Sequence, residues 1–133
     1  MRIGRSSHLA RKSKFSAVRG SVVWVNLPPP RDARGHVQSG RRIGVILQND
    51  STYAALPVVL IAPGTSRTDA LRFPHTVRID PDATNGLKKE TVFLGFQVQV
   101  VNKDIIVVPP LGQLSAADLL RLETAVKDAL GLP

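Results

Sequence analysis

Cysteine is absent from the 133 residues, which excludes disulfide scaffolds, thiolate zinc sites and cysteine nucleophiles. Long apolar runs are missing too. None approaches the roughly 20 residues of a membrane span, and no hydrophobic stretch follows the basic start as a signal peptide requires. A soluble protein suited to a reducing cytoplasm, with no membrane attachment, is expected. Internal repeats are also lacking. The scarcest feature is negative charge early in the chain: residues 1–42 contain one acid, Asp32, against ten Lys and Arg. Residues 43–133 contain eight Lys and Arg against nine acids, so the formal net charge of +8 originates in the first third. A local basic field attracts polyanions, either nucleic acid or an acidic partner protein, although a solubilising basic tail has the same composition.

What the chain does contain is a succession of short β-type segments. Its length suits one domain with a sizeable core. Residues 1–18 are rich in Arg, Lys and Ser without periodicity and predict a poorly ordered extension, leaving 19–133 as the folded domain. Ser-Val-Val-Trp-Val-Asn-Leu at 21–27 is β-branched and aromatic and predicts a strand, ended by Pro28-Pro29-Pro30. A polar loop from 31 to 41 follows, longer than most connections in a compact domain. Further strands are predicted at 43–48, at 58–62 with Pro63-Gly64 as its breaker, and at 76–79, 91–94, 97–100 and 105–108. Turns fall at Asn49-Asp50-Ser51 and Asn85-Gly86.

Only the last twenty residues predict a helix. Ser115 with Asp118 three residues on resembles a capping box. Leu119, Leu122, Val126 and Leu130 form one apolar stripe, and Gly131 stands where a left-handed terminator belongs. Many short strands with one terminal helix predict a mainly β fold, a curled sheet or small barrel closed by that helix.

Gly35-His36-Val37-Gln38-Ser39-Gly40-Arg41-Arg42 resembles the Gly-His/Ser-Glu-Gln-x-Gly-x-Arg-Pro loop of the MazF/PemK family of bacterial toxins. Six further segments keep that family's order: Arg19-Gly20 with Leu27-Pro28-Pro29, Val45 to Asp50, Val58 to Arg67, Phe73-Pro74-His75-Thr76-Val77, Gln97 to Lys103, and Gly112 to Leu132. The resemblance covers roughly residues 19–133. It implies an SH3-like β-barrel, a homodimer, and a sequence-selective, metal-independent endoribonuclease. The implied partners are single-stranded RNA and an antitoxin with an acidic, partly disordered segment. No cofactor is implied.

RNA carries its own nucleophile, the ribose 2′-hydroxyl, so positioning and charge stabilisation dominate its cleavage. By the resemblance, Arg42 is the active-site arginine, whose planar guanidinium clamps the scissile phosphate. Thr65 is the threonine at the end of the central strand, where its hydroxyl or the backbone N–H groups near Gly64 to Ser66 donate to a phosphate oxygen, the competing reading being a local turn. His36 is a candidate proton shuttle. Arg34, Arg41, Ser66, Arg67, Phe96 and Gln97 are candidate RNA contacts. His75, beside Pro74, reads as structural.

The departures bear on activity. Several family members carry an acid just before the Gln of the later strand, where this chain has Phe96; the loop's Glu is Val37, the Pro after the arginine is Ile43, and the Asp after Arg-Gly is Ser21. Phe96 has two readings, a stacking platform for a base or a core residue. Two rivals share the fold: a CcdB-type gyrase poison that cuts nothing, and a non-catalytic RNA-binding relative. Retained Arg42 and Thr65 favour the nuclease, while the substitutions at Phe96 and Val37 favour the non-catalytic relative.

Overall fold

The computed structural model describes residues 17–27 and 40–133. Seven strands make one antiparallel sheet: β1 (Ser21–Leu27), β2 (Gly40–Ile46), β3 (Val58–Thr65), β4 (Thr76–Ile79), β5 (Thr91–Leu94), β6 (Gln99–Asn102) and β7 (Ile106–Gln113). A single helical turn, α1 (Asp50–Tyr53), follows β2, and the long helix α2 (Ala116–Leu130) closes the chain. The ladder runs β4-β5-β3-β2-β1-β7, with β6 also pairing β3. This is the mainly β, barrel-like architecture with a C-terminal helix that the sequence predicts, with β4 and β7 left as open edges among the described residues.

The curl originates at β3. One of its edges meets β2 over Ile61 to Gly64, while the other meets β6 over Val58 to Ile61 and β5 at Gly64 and Thr65. β5 and β6 are consecutive in sequence, joined by a 3₁₀ turn at Gly95–Gln97. That turn bends the partner strand and leaves Phe96 and Gln97 exposed.

Pro63-Gly64 does not break β3, contrary to the sequence prediction. Pro63 falls between the last β6 pair, Ile61–Gln99, and the first β5 pair, Gly64–Phe93, so its missing N–H costs no ladder bond on that edge. Gly64 is required by packing: an added Cβ would lie 2.8 Å from the Phe93 ring and 2.9 Å from Ile43. The strand predicted at 97–100 is displaced to Gln99–Asn102, because residues 95–97 form the turn. The strand predicted at 105–108 begins at Ile106 and continues to Gln113 through Pro109 and Pro110, prolines that an edge strand tolerates.

Side chains alternate across the sheet and build two cores. Val22, Val45, Ala62 and Phe93 face α2 and pack with Leu122 and Ala125. Val23, Val25, Ile46, Val59 and Ile61 face the other way and pack with Ala17 and Ile106. In α2, the Ser115 hydroxyl accepts the Asp118 N–H at 3.1 Å. Gly131 ends the helix at φ +72°, with the Leu132 N–H on the Lys127 carbonyl at 2.9 Å. Leu119, Leu122 and Val126 pack inward as predicted, but Leu130, in the last helical turn, is 66% exposed and lies outside the core cluster.

A polar clasp ties the start of the domain to the rest. The Arg19 N–H donates to both Asp50 carboxylate oxygens at 3.0 and 3.1 Å, and its guanidinium pairs with Glu123 of α2 and donates to the Leu47 carbonyl.

Candidate functional site

β1, β2 and β3 place their loop ends side by side. Residue pairs across β2 and β3 keep a constant register, Ile46 opposite Ile61 and Ile43 opposite Gly64. Arg42 and Thr65 flank that last pair, one on each strand. On its other side Arg42 pairs with Val25 of β1, and Arg41 with Asn26. Strand alternation then sends Arg41 and Arg42 to opposite faces.

A hollow opens on each face. One, of about 480 Å³, is floored by Val25 and Ile61 and rimmed by Asp69, Arg72, Phe73, Gln97 and Gln99. The other, of about 570 Å³, is bordered by Trp24, Arg41, Ser66, Lys88 and Lys89. Arg42, Ile43, Thr65 and Arg67 line both. Arg42 and Thr65 thus stand on the ridge between the two hollows, each half-buried.

Local hydrogen bonding fixes the threonine. Its hydroxyl oxygen accepts the Arg67 backbone N–H at 3.1 Å, closing a turn at the end of β3. That bond uses a lone pair and leaves the hydroxyl hydrogen for a ligand oxygen. The local-turn and the ligand-contact readings of Thr65 are therefore compatible.

Asp69 lies between two of the arginines, 3.8 Å from Arg67 and 3.6 Å from Arg72. The Arg72 guanidinium sits 4.8 Å above the centre of the Phe73 ring, and Phe73 lies 5.9 Å from Phe96 at an interplanar angle of 55°. Both rings are exposed, Phe73 at 43% and Phe96 at 40%. Phe96 is therefore not a core residue. His75 adopts φ +61° and its carbonyl accepts the Gly95 N–H at 2.8 Å, tying the segment after Phe73 to the turn that carries Phe96.

Of the residues singled out in the sequence, the structure brings together Arg41, Arg42, Thr65, Ser66, Arg67 and Gln97, with Phe96 joined through Phe73. His36 and Arg34 lie outside the described residues, in the connection from β1 to β2. Sequence reading missed Arg72, Phe73, Gln99, Lys88 and Lys89. The Lys88-Lys89 doublet was visible, but nothing local ties it to Arg41. Among the described residues that line the hollows, six cations (Arg41, Arg42, Arg67, Arg72, Lys88 and Lys89) face one acid, Asp69. The nearby Glu90 is engaged with Arg78 at 2.7 Å. Such a surface attracts a polyanion. Among the described residues no three His, Cys, Asp or Glu side chains gather as metal ligands, and no helix is long and apolar enough to cross a membrane.

Comparison with known proteins converges. The family model described as PemK-like, MazF-like toxin of type II toxin–antitoxin system matches residues 18–130. The endoribonuclease MazF of Staphylococcus saprophyticus is 31% identical over 114 residues, which cover 86% of this chain and 91% of that protein. A crystal structure of MazF from Deinococcus radiodurans superposes with a TM-score of 0.66 at 24% identity, covering 86% of this chain and 96% of that one. A mycobacterial endoribonuclease in complex with its cognate antitoxin also gives 0.66, at 22% identity over 89% of this chain and 98% of that one.

Proposed function

The chain belongs to the PemK-like, MazF-like toxin family of type II toxin–antitoxin systems, and from that premise we propose that Arg42 and Thr65 together hold one RNA phosphate during cleavage. The protein is the toxin of such a pair and an endoribonuclease. The observation that supports the site assignment is that Arg42 and Thr65, which flank the Ile43–Gly64 pair of β2 and β3, both line the two basic hollows.

The chemistry follows from what each group supplies. The ribose 2′-oxygen attacks phosphorus, the bond to the 5′-oxygen breaks, and the products are a 2′,3′-cyclic phosphate and a 5′-hydroxyl. Charge on the non-bridging oxygens grows as the phosphorane forms. The Arg42 guanidinium binds two of those oxygens through its planar fork, and the Thr65 hydroxyl donates to one. Arg42 stays protonated throughout and acts as a clamp, not as a base. His36 is the proton-transfer group of this scheme, taking the 2′ proton or returning one to the departing oxygen. Because the nucleophile is built into the substrate, no step calls for a metal ion. Arg34, Arg41, Ser66, Arg67, Phe96 and Gln97 contact the flanking nucleotides.

The same basic ridge fits the acidic segment of an antitoxin, which would occlude it by occupying the phosphate positions. A homodimer acting in the cytoplasm completes the proposal. Incubation of the purified protein with single-stranded RNA in excess EDTA tests it. Discrete fragments with 5′-hydroxyl ends are expected, and none with Arg42→Ala. Cutting that depends on added magnesium would overturn the mechanism.

A further inference from the structure

We infer that the two hollows divide the recognition of RNA: the hollow lined by Phe73, Gln97 and Gln99 seats one unpaired base beside the scissile phosphate, against the Phe73–Phe96 ring pair, and sets the base preference of the cut, while the Arg41–Lys88–Lys89 hollow holds phosphate without regard to sequence. The inference rests on the ribonuclease reading above and assigns its specificity.

The two hollows differ in chemistry although they share a ridge. The first is lined by exposed Phe73, which contacts a second exposed ring, Phe96, in a chain that holds only four phenylalanines in all. Their tilt of 55° makes an angled platform, so a base lying flat on one ring meets the other near its edge. Arg72, paired with Asp69, sits over one face of Phe73. Aromatic faces accept every base by stacking, and stacking alone does not discriminate. Discrimination needs donors and acceptors at the base edge, and Gln97 and Gln99 supply carboxamides with both.

The second hollow has no carboxamide among its described lining residues. Besides Arg42 and Arg67, which it shares with the first, its cations are Arg41 and the Lys88 and Lys89 ammoniums, point charges suited to phosphate. Trp24 borders it, but from within the sheet, between Ile43 of β2 and Val107 of β7, and half-buried. A strand held at Arg42 and Thr65 therefore has a base-reading surface on one side and a phosphate-holding surface on the other.

Phe96 also explains a departure noted in the sequence. Where several relatives carry an acid, this chain carries a ring at the outward bend between β5 and β6. That ring holds the base.

The test uses single-stranded RNA octamers, blocked by a 2′-deoxy sugar at the cut and differing only in the base next to it. Wild type is expected to prefer one base over the others. Phe73→Leu/Phe96→Leu should bind the preferred octamer about 10- to 100-fold more weakly and lose the preference. Gln97→Ala/Gln99→Ala should lose the preference with a smaller loss of affinity. Phe96→Tyr, which keeps the ring, should retain both, and circular dichroism checks that each variant is folded. Unchanged base preference in the double Phe variant would overturn the inference, as would a preference that moves instead with Lys88→Ala/Lys89→Ala. Wild-type protein that binds selectively yet never cuts the unblocked octamers would refute the nuclease mechanism and leave this assignment supported.

Discussion

The Thr65 hydroxyl oxygen accepts the Arg67 backbone N–H at 3.1 Å, so the group that faces the ridge is aimed by the turn that follows it. Replacing Thr65 by valine keeps the shape and removes the hydroxyl. Cleavage should fall about 100-fold, the scale of losing one donor to a transition-state oxyanion. Thr65→Ser should stay within a few-fold of wild type. The melting temperature should change little in either, because the lost bond is worth about 1 kcal/mol. A valine variant with full activity would remove Thr65 from the chemistry.

Arg42→Lys separates charge from geometry. The positive charge remains but the two-pronged grip is lost. We expect kcat to fall about 100-fold, with a much smaller change in KM, since phosphate attraction by charge persists. Single-turnover kinetics on a short RNA measure this directly. An equal loss in lysine and alanine variants would also fit a clamp; near-wild-type activity of the lysine variant would not.

Lys88 and Lys89 offer a salt signature. Each phosphate neutralised on a single strand contributes about 0.7 to the slope of log affinity against log salt. Lys88→Ala/Lys89→Ala should therefore flatten that slope by about 1.4 and weaken binding evenly across sequences. Filter binding at several salt concentrations reads both quantities.

Gly64 is a packing prediction. The Cβ of Gly64→Ala would press on the Phe93 ring, which is fully buried and has no room to move. Overpacking of this kind costs about 1–3 kcal/mol, and Tm should drop by several degrees in a thermal melt. Because Gly64 lies between Ile43 and the Thr65 turn, activity should fall as well.

Much of this architecture was legible in the chain because its signals were local. The β-branched run of β1, the Ser115 cap and the Gly131 terminator each act through neighbours a few residues away, and each appears as read. Pro63-Gly64 was misread for the opposite reason. Its breaker chemistry is real, but β3 changes partner at that point, and only the assembled ladder leaves a place where a missing N–H costs nothing. Leu130 follows the helical period, yet period alone does not say where the core ends. Arg42 and Thr65 could be paired through the order of segments along the chain. Arg72, Phe73 and the Lys88-Lys89 doublet could not, since their relation to Arg42 exists only once β3, β4 and β5 lie side by side.

The two adjoining prolines of β7 have a bearing on how these molecules meet. Pro109 and Pro110 lie on a terminal strand of the ladder, where an incoming β-segment from another molecule would look for amide donors. Neither residue has one. Strand addition along that margin meets two positions with no donor, which works against edge-to-edge growth there.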